Sequence, residues 1–122
     1  MSAWNELRAE AQRHMCAGNY RDAAAAYAVA ADLAIEDGRD DDARRMRTLV
    51  RQLLITEWAR ERWPEEGILW GDVSPAPLDL SYTTEMWRFT IRRPYRKRPL
   101  NYPGYTAVVV SSNGRIRIQE NW

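Results

Sequence analysis

The chain is 122 residues long, 45% apolar and 29% charged, yet its formal net charge is only +1. That length buries a core without metals or disulfides, and the single Cys16 excludes an internal disulfide, which points to a reducing compartment and, beside Met15, to a semi-buried thiol. No apolar run reaches the roughly 20 residues that span a bilayer, and Met1-Ser2-Ala3-Trp4-Asn5-Glu6 has neither the basic start nor the apolar centre of a signal peptide, so one soluble, cytoplasmic domain over 1–122 is expected.

Trp4, Leu7, Ala11 and Met15 recur at the spacing of a helix that buries one stripe, with Ser2 as its N-cap and Gly18 as its stop. Asn19 is placed to cap a second helix, whose apolar positions Ala23, Ala26, Tyr27, Ala30, Leu33 and Ala34 keep the same period until Gly38. So many alanines let two helix axes approach closely, which predicts an antiparallel hairpin. Asp40-Asp41-Asp42 reads as the acidic first turn of a third helix. A calcium loop would need alternating oxygen ligands, a central glycine and a closing glutamate, and that spacing is absent. The third helix runs through Ala43, Met46, Leu49, Val50, Leu53, Leu54 and Trp58, and Pro64 ends it near Trp63.

Residues 64–85 form an irregular connection in which Ile68-Leu69-Trp70 and Leu78-Asp79-Leu80 can each supply a short strand. From 86 to 122 the pattern is that of an antiparallel β part. Over Met86–Arg92, Trp87, Phe89 and Ile91 alternate with Arg88, Thr90 and Arg92, as in a half-buried strand. Tyr105 to Ser112 and Arg115 to Gln119 flank Asn113-Gly114, the signature of a two-residue hairpin turn. Closing that turn on Ser112 and Arg115 puts Ala107, Val109, Ile116 and Ile118 on one face and Val108, Val110, Arg117 and Gln119 on the other. A terminal strand at a sheet edge can also pair with a second copy, giving a homodimer. Of the six tryptophans most are expected in the core, while Trp122 either closes the sheet or anchors a partner.

Gly18-Asn19-Tyr20-Arg21-Asp22-Ala23, followed by Tyr27, Ala30 and Leu33, resembles the centre of a tetratricopeptide repeat over roughly residues 4–37. Glu10, Ala11 and His14 in the first helix and Ile35 near the end of the second depart from that family's pattern. One repeat plus one helix is visible, where free-standing arrays take about three. The resemblance implies a helical hairpin of that geometry and the family's habit of binding peptides in a concave groove. The expected fold is therefore α+β: a three-helix N-terminal array, a tetratricopeptide-like hairpin plus a long third helix, packed on a small C-terminal antiparallel sheet of three or more strands.

No residues present themselves as catalytic, cofactor-binding or metal-binding. His14 and Cys16, two residues apart on a helix, point about 200° apart and cannot cooperate. Phosphate loops, nucleophile elbows and zinc-protease motifs are all missing from the sequence. Charge is the informative feature. Residues 1–63 hold ten arginines and eleven carboxylates, whereas residues 86–122 hold eight cations against Glu120 alone. Most of those cations lie in the long basic Tyr/Pro loop 92–105, where Arg92, Arg93, Tyr95, Arg96, Lys97, Arg98 and Tyr102, together with Trp122, are the candidate partner-binding residues. Two functions fit: a small accessory or adaptor protein that binds another protein through its helical face and this loop, as a modulator or inhibitor, or a nucleic-acid-binding protein in which the cations meet phosphates and the tyrosines stack on bases.

Overall fold

The computed structural model describes residues 3–75, 86–93, 104–111 and 115–119 of the chain. Ser2, Leu78-Asp79-Leu80 and the Asn113-Gly114 turn lie outside the described residues. The α+β class holds: helices α1 (Ala3–Cys16), α2 (Tyr20–Glu36) and α3 (Asp40–Arg62) precede two short 3-10 turns, Pro64–Glu66 and Trp70–Asp72, and an antiparallel sheet. Two compact units divide the chain, Met1–Trp58 and Ala59–Trp122. Among the described residues no helix is long and apolar enough to cross a membrane.

In the first unit, α1 and α2 end in the same way twenty residues apart. The Asn19 N–H donates to the His14 carbonyl at 2.8 Å and the Gly18 N–H to that of Met15 at 3.1 Å; Arg39 and Gly38 repeat this on Ala34 and Ile35 at 2.8 and 3.0 Å. This paired bonding satisfies carbonyls that a helix end otherwise leaves open, and it requires a left-handed residue. Gly18 at φ +82° and Gly38 at φ +75° supply it. Asn19 does stand at the N-cap of α2, but its side chain makes no cap bond. Its backbone, at φ −86° and ψ 70°, belongs to the preceding turn rather than to the extended conformation from which a cap side chain reaches back.

The core of this unit joins Trp4, Tyr20, Tyr27, Met46 and Leu53 to alanines 11, 23, 24, 30, 31, 34 and 43. Small residues let the helices close on a few large side chains, each tightly enclosed. Across α2 and α3, Arg47 Nη2 donates to Asp32 Oδ1 at 3.0 Å and Arg21 Nε lies 3.9 Å from Glu57 Oε2, so the two helices run antiparallel. Cys16 is exposed rather than semi-buried, because it sits one step off the stripe of Trp4, Leu7, Ala11 and Met15. Asp40, Asp41 and Asp42 occupy the first turn of α3, as expected.

In the second unit, strands β1 (Val73–Pro75), β2 (Met86–Arg93), β3 (Gly104–Ser111) and β4 (Ile116–Gln119) neighbour one another in chain order, all antiparallel. The connection's strand is Val73–Pro75, while Ile68 and Leu69 are irregular and Trp70 opens a 3-10 turn. Phe89 pairs with Val108, Trp87 with Val110 and Ile91 with Val73. Phe89, Ile91, Val73, Val108 and Val110 are buried, so these positions make the inward face.

The hairpin register differs from the expected one. A two-residue turn would set Val110 opposite Arg117, but the ladder pairs Val110 with Ile116, Val109 with Arg117, Val108 with Ile118 and Ala107 with Gln119. A one-residue slip exchanges the faces of a strand relative to its neighbour. Val108 and Val110 therefore belong to the inward face, and Ala107 and Val109 share rows with Gln119 and Arg117. The observed register sets β-branched residues opposite one another on the buried side, which a register fixed by the turn alone does not. Of the five tryptophans in described residues, Trp4 alone is buried; Trp58, Trp63 and Trp87 are half-buried and Trp70 is exposed.

Two outcomes follow from the helical unit. Gly18→Ala puts a Cβ into open space but forces a left-handed alanine, so it should cost roughly 1–2 kcal/mol, read as a lower urea midpoint with an unchanged slope. Burial pushes the Tyr27 phenol above its ordinary 10.0, with Arg8 pulling the other way and Cys16 adding to the rise. A raised acid pKa in the fold stabilises fully below pH 10 and loses that contribution as pH climbs through the folded value. Wild type should thus lose up to about 1.4 kcal/mol per pH unit more than Tyr27→Phe in alkaline unfolding.

Candidate functional site

Of the residues expected to meet a partner, Tyr95, Arg96, Lys97, Arg98, Tyr102 and Trp122 lie outside the described residues. Arg92 is exposed on β2, where its register partner is Tyr105. Arg93 is not a loop residue: it ends β2 and is 8% exposed. Its position follows from strand parity, since it alternates with Trp87, Phe89 and Ile91 onto the inward face.

A guanidinium carried to that face needs a carboxylate, because an unpaired buried charge is costly. Glu66 provides it. Arg93 Nε and Nη2 donate to Glu66 Oε2 and Oε1, both at 2.7 Å, a two-pronged pair that matches the planar fork to the carboxylate. The Arg93 Cζ lies 3.9 Å from the centroid of the Trp63 ring, within cation–π range. Glu66 closes the 3-10 turn that Pro64 opens, and Gly67 at φ +57° turns the chain away. Arg60 Nε donates to the Ile68 carbonyl at 2.8 Å, fixing the next stretch of the same segment. This constellation is structural: its charges are enclosed and satisfied by each other.

The open chemistry of the helical unit lies on the α2–α3 seam. Ala28 and Asp32 from α2 and Arg47, Val50 and Arg51 from α3 line a depression of about 240 Å³. Helical spacing puts Leu54 on the same stripe of α3, one turn beyond Val50 and Arg51. Leu54 is 48% exposed and Val29, next to Ala28, is 52% exposed, so large apolar surface meets water beside the depression. Burial and then the neighbouring Arg47 lower the pKa of Arg51 from its ordinary value, though it remains a cation. The seam's ion pairs, Arg47 with Asp32 and Arg21 with Glu57, bracket this stretch in sequence on both helices. Its apolar positions were legible as part of the helical stripe; which of them stay uncovered depends on how α2 and α3 meet.

A second depression, of about 470 Å³, is lined by Gly38, Arg39, Asp40, Asp41, Asp42 and Arg44. Arg44 Nη1 stands 3.9 Å from Asp41 Oδ1, and among the described residues no group of acids, histidines and cysteines is arranged to hold a metal ion. His14 Nε2 lies 3.6 Å from Glu10 Oε1 on the same face of α1, away from any nucleophile geometry with Cys16.

Glu66→Gln, which keeps the shape but removes the charge opposite Arg93, should cost about 3–5 kcal/mol. Glu66→Leu combined with Arg93→Met should recover most of that loss, and urea unfolding of both variants checks the pair. No protein-family model, curated protein or solved structure matches the chain.

Proposed function

We propose that this chain is a small, non-enzymatic accessory protein that holds a partner polypeptide along the α2–α3 seam. The observation that carries it is Leu54, exposed on a long helix beside an open depression lined by Ala28, Val50, Asp32, Arg47 and Arg51. Interfaces concentrate their energy in a few apolar and arginine side chains that a partner desolvates, and this seam offers both types together. The tetratricopeptide-like character of residues 4–37 supports the same reading, since a helical hairpin of that kind is a scaffold for presenting helix faces to peptides. The basic segment 94–103 is proposed as an additional contact, with Arg96, Lys97 and Arg98 matching acidic groups on the partner.

Because Leu54 is exposed, Leu54→Glu should change stability by no more than about 0.5 kcal/mol. The same variant should abolish recovery of the specific partner that the wild-type chain retains from its native host at near-physiological salt. A partner recovered equally by wild type, Leu54→Glu and Arg51→Glu would place the binding surface elsewhere.

A further inference from the structure

The outward face of the sheet is a cationic surface distinct from the helical seam. Strand parity puts Arg88 and Arg92 of β2 opposite in sense to Phe89 and Ile91, and the ladder carries the same face through Val109 to Arg117 of β4. Arg88, Val109 and Arg117 form one transverse row, so Arg88 and Arg117 stand two strand spacings apart, roughly 10 Å, and Arg92 lies roughly 13 Å further along β2. The other described positions on this face are Ser74, Met86, Thr90, Tyr105, Ala107, Ser111 and Gln119, none of them acidic. Arg92 and Arg117 are exposed. The Nε of Arg88 is buried, and among the described residues it has no hydrogen-bond partner. A donor left in that state carries an unreturned desolvation cost.

We infer that this outward face binds the phosphodiester backbone of a single-stranded nucleic acid, with Arg88, Arg92 and Arg117 as phosphate contacts. Cations spread over two strands, with Arg92 a further four residues along β2, suit an extended polyanion crossing the sheet. Among the described residues this face holds no carboxylate to compensate its charge. Sheet faces suit unpaired strands, which can lie flat across neighbouring rows while bases meet the side chains between the cations. The inference does not depend on the helical seam and assigns the second unit a separate ligand.

The test is fluorescence anisotropy with a labelled oligothymidylate of about 15 nucleotides, long enough to cover a small sheet, titrated at several salt concentrations. Wild type should bind with affinity falling linearly on a log–log salt plot. Arg88→Gln with Arg117→Gln should weaken binding at least tenfold and lower the slope by about 1.4, the value for two single-strand phosphate contacts. Arg88→Lys with Arg117→Lys keeps the charge and should retain most of the affinity, which separates lost contacts from a damaged sheet. No binding at low salt overturns the inference. So does full binding by the glutamine pair with loss on changing Arg96, Lys97 and Arg98 to alanine, which would put the phosphates on the loop. Equal binding of a poly-glutamate peptide, with the same dependence on Arg88 and Arg117, would also overturn it in favour of an acidic protein ligand.

Discussion

The second unit depends on the alternation of β2. Eight residues at a period of two send Trp87, Phe89, Ile91 and Arg93 one way and Arg88, Thr90 and Arg92 the other. Once Phe89 and Ile91 are inside, Arg93 has no choice but to follow, and a cation on that side demands an enclosed carboxylate. Glu66, the turn from Pro64 to Gly67 and the ring of Trp63 are the local answer to that demand. The same alternation leaves Arg88 and Arg92 on the opposite face, where the described residues include no carboxylate. One geometric rule thus divides neighbouring arginines between the two faces of the sheet.

In the helical unit the corresponding constraint is the pair of left-handed glycine turns. Gly18 and Gly38 close α1 and α2 with the same bonds, and each frees the chain to reverse without leaving buried carbonyls open. The alanine-rich interior follows from reversal at such short range, since closely approaching helices have room for few large side chains. Tyr20, Tyr27, Met46 and Leu53 take that room. Arg47 and Arg51 line the depression on the seam instead, and Leu54 is left exposed.

Much of this was written plainly in the sequence. The helices were legible from the period of Trp4, Leu7, Ala11 and Met15 and from the glycines that stop it, and β2 was legible from its alternation. The β3–β4 register was not. Asn113-Gly114 is a strong local turn signal, but register is also settled by which residues meet across the ladder, and pairing Val110 with Ile116 outweighs the two-residue geometry. Arg93 illustrates a different limit: parity alone marks it as inward-facing, yet its partner lies 27 residues earlier in an irregular stretch that no periodicity identifies. Clustered with Arg92, Arg96, Lys97 and Arg98, it looked like one more cation of a basic loop. The seam was hidden for a third reason, because exposure of Leu54 is a property of two helices together and an apolar residue at helical spacing is normally core.

The near-neutral total charge conceals a division of labour that the fold makes physical. Within the first unit, arginines answer nearby carboxylates across α2 and α3, so the recognition proposed there would rest on shape and apolar contact more than on charge. Residues 86–122 hold eight cations against Glu120 alone, and Glu66 encloses one of them, Arg93. A ligand of the proposed cationic face would be selected first by charge and at longer range, a partner of the proposed seam site by fit at contact distance.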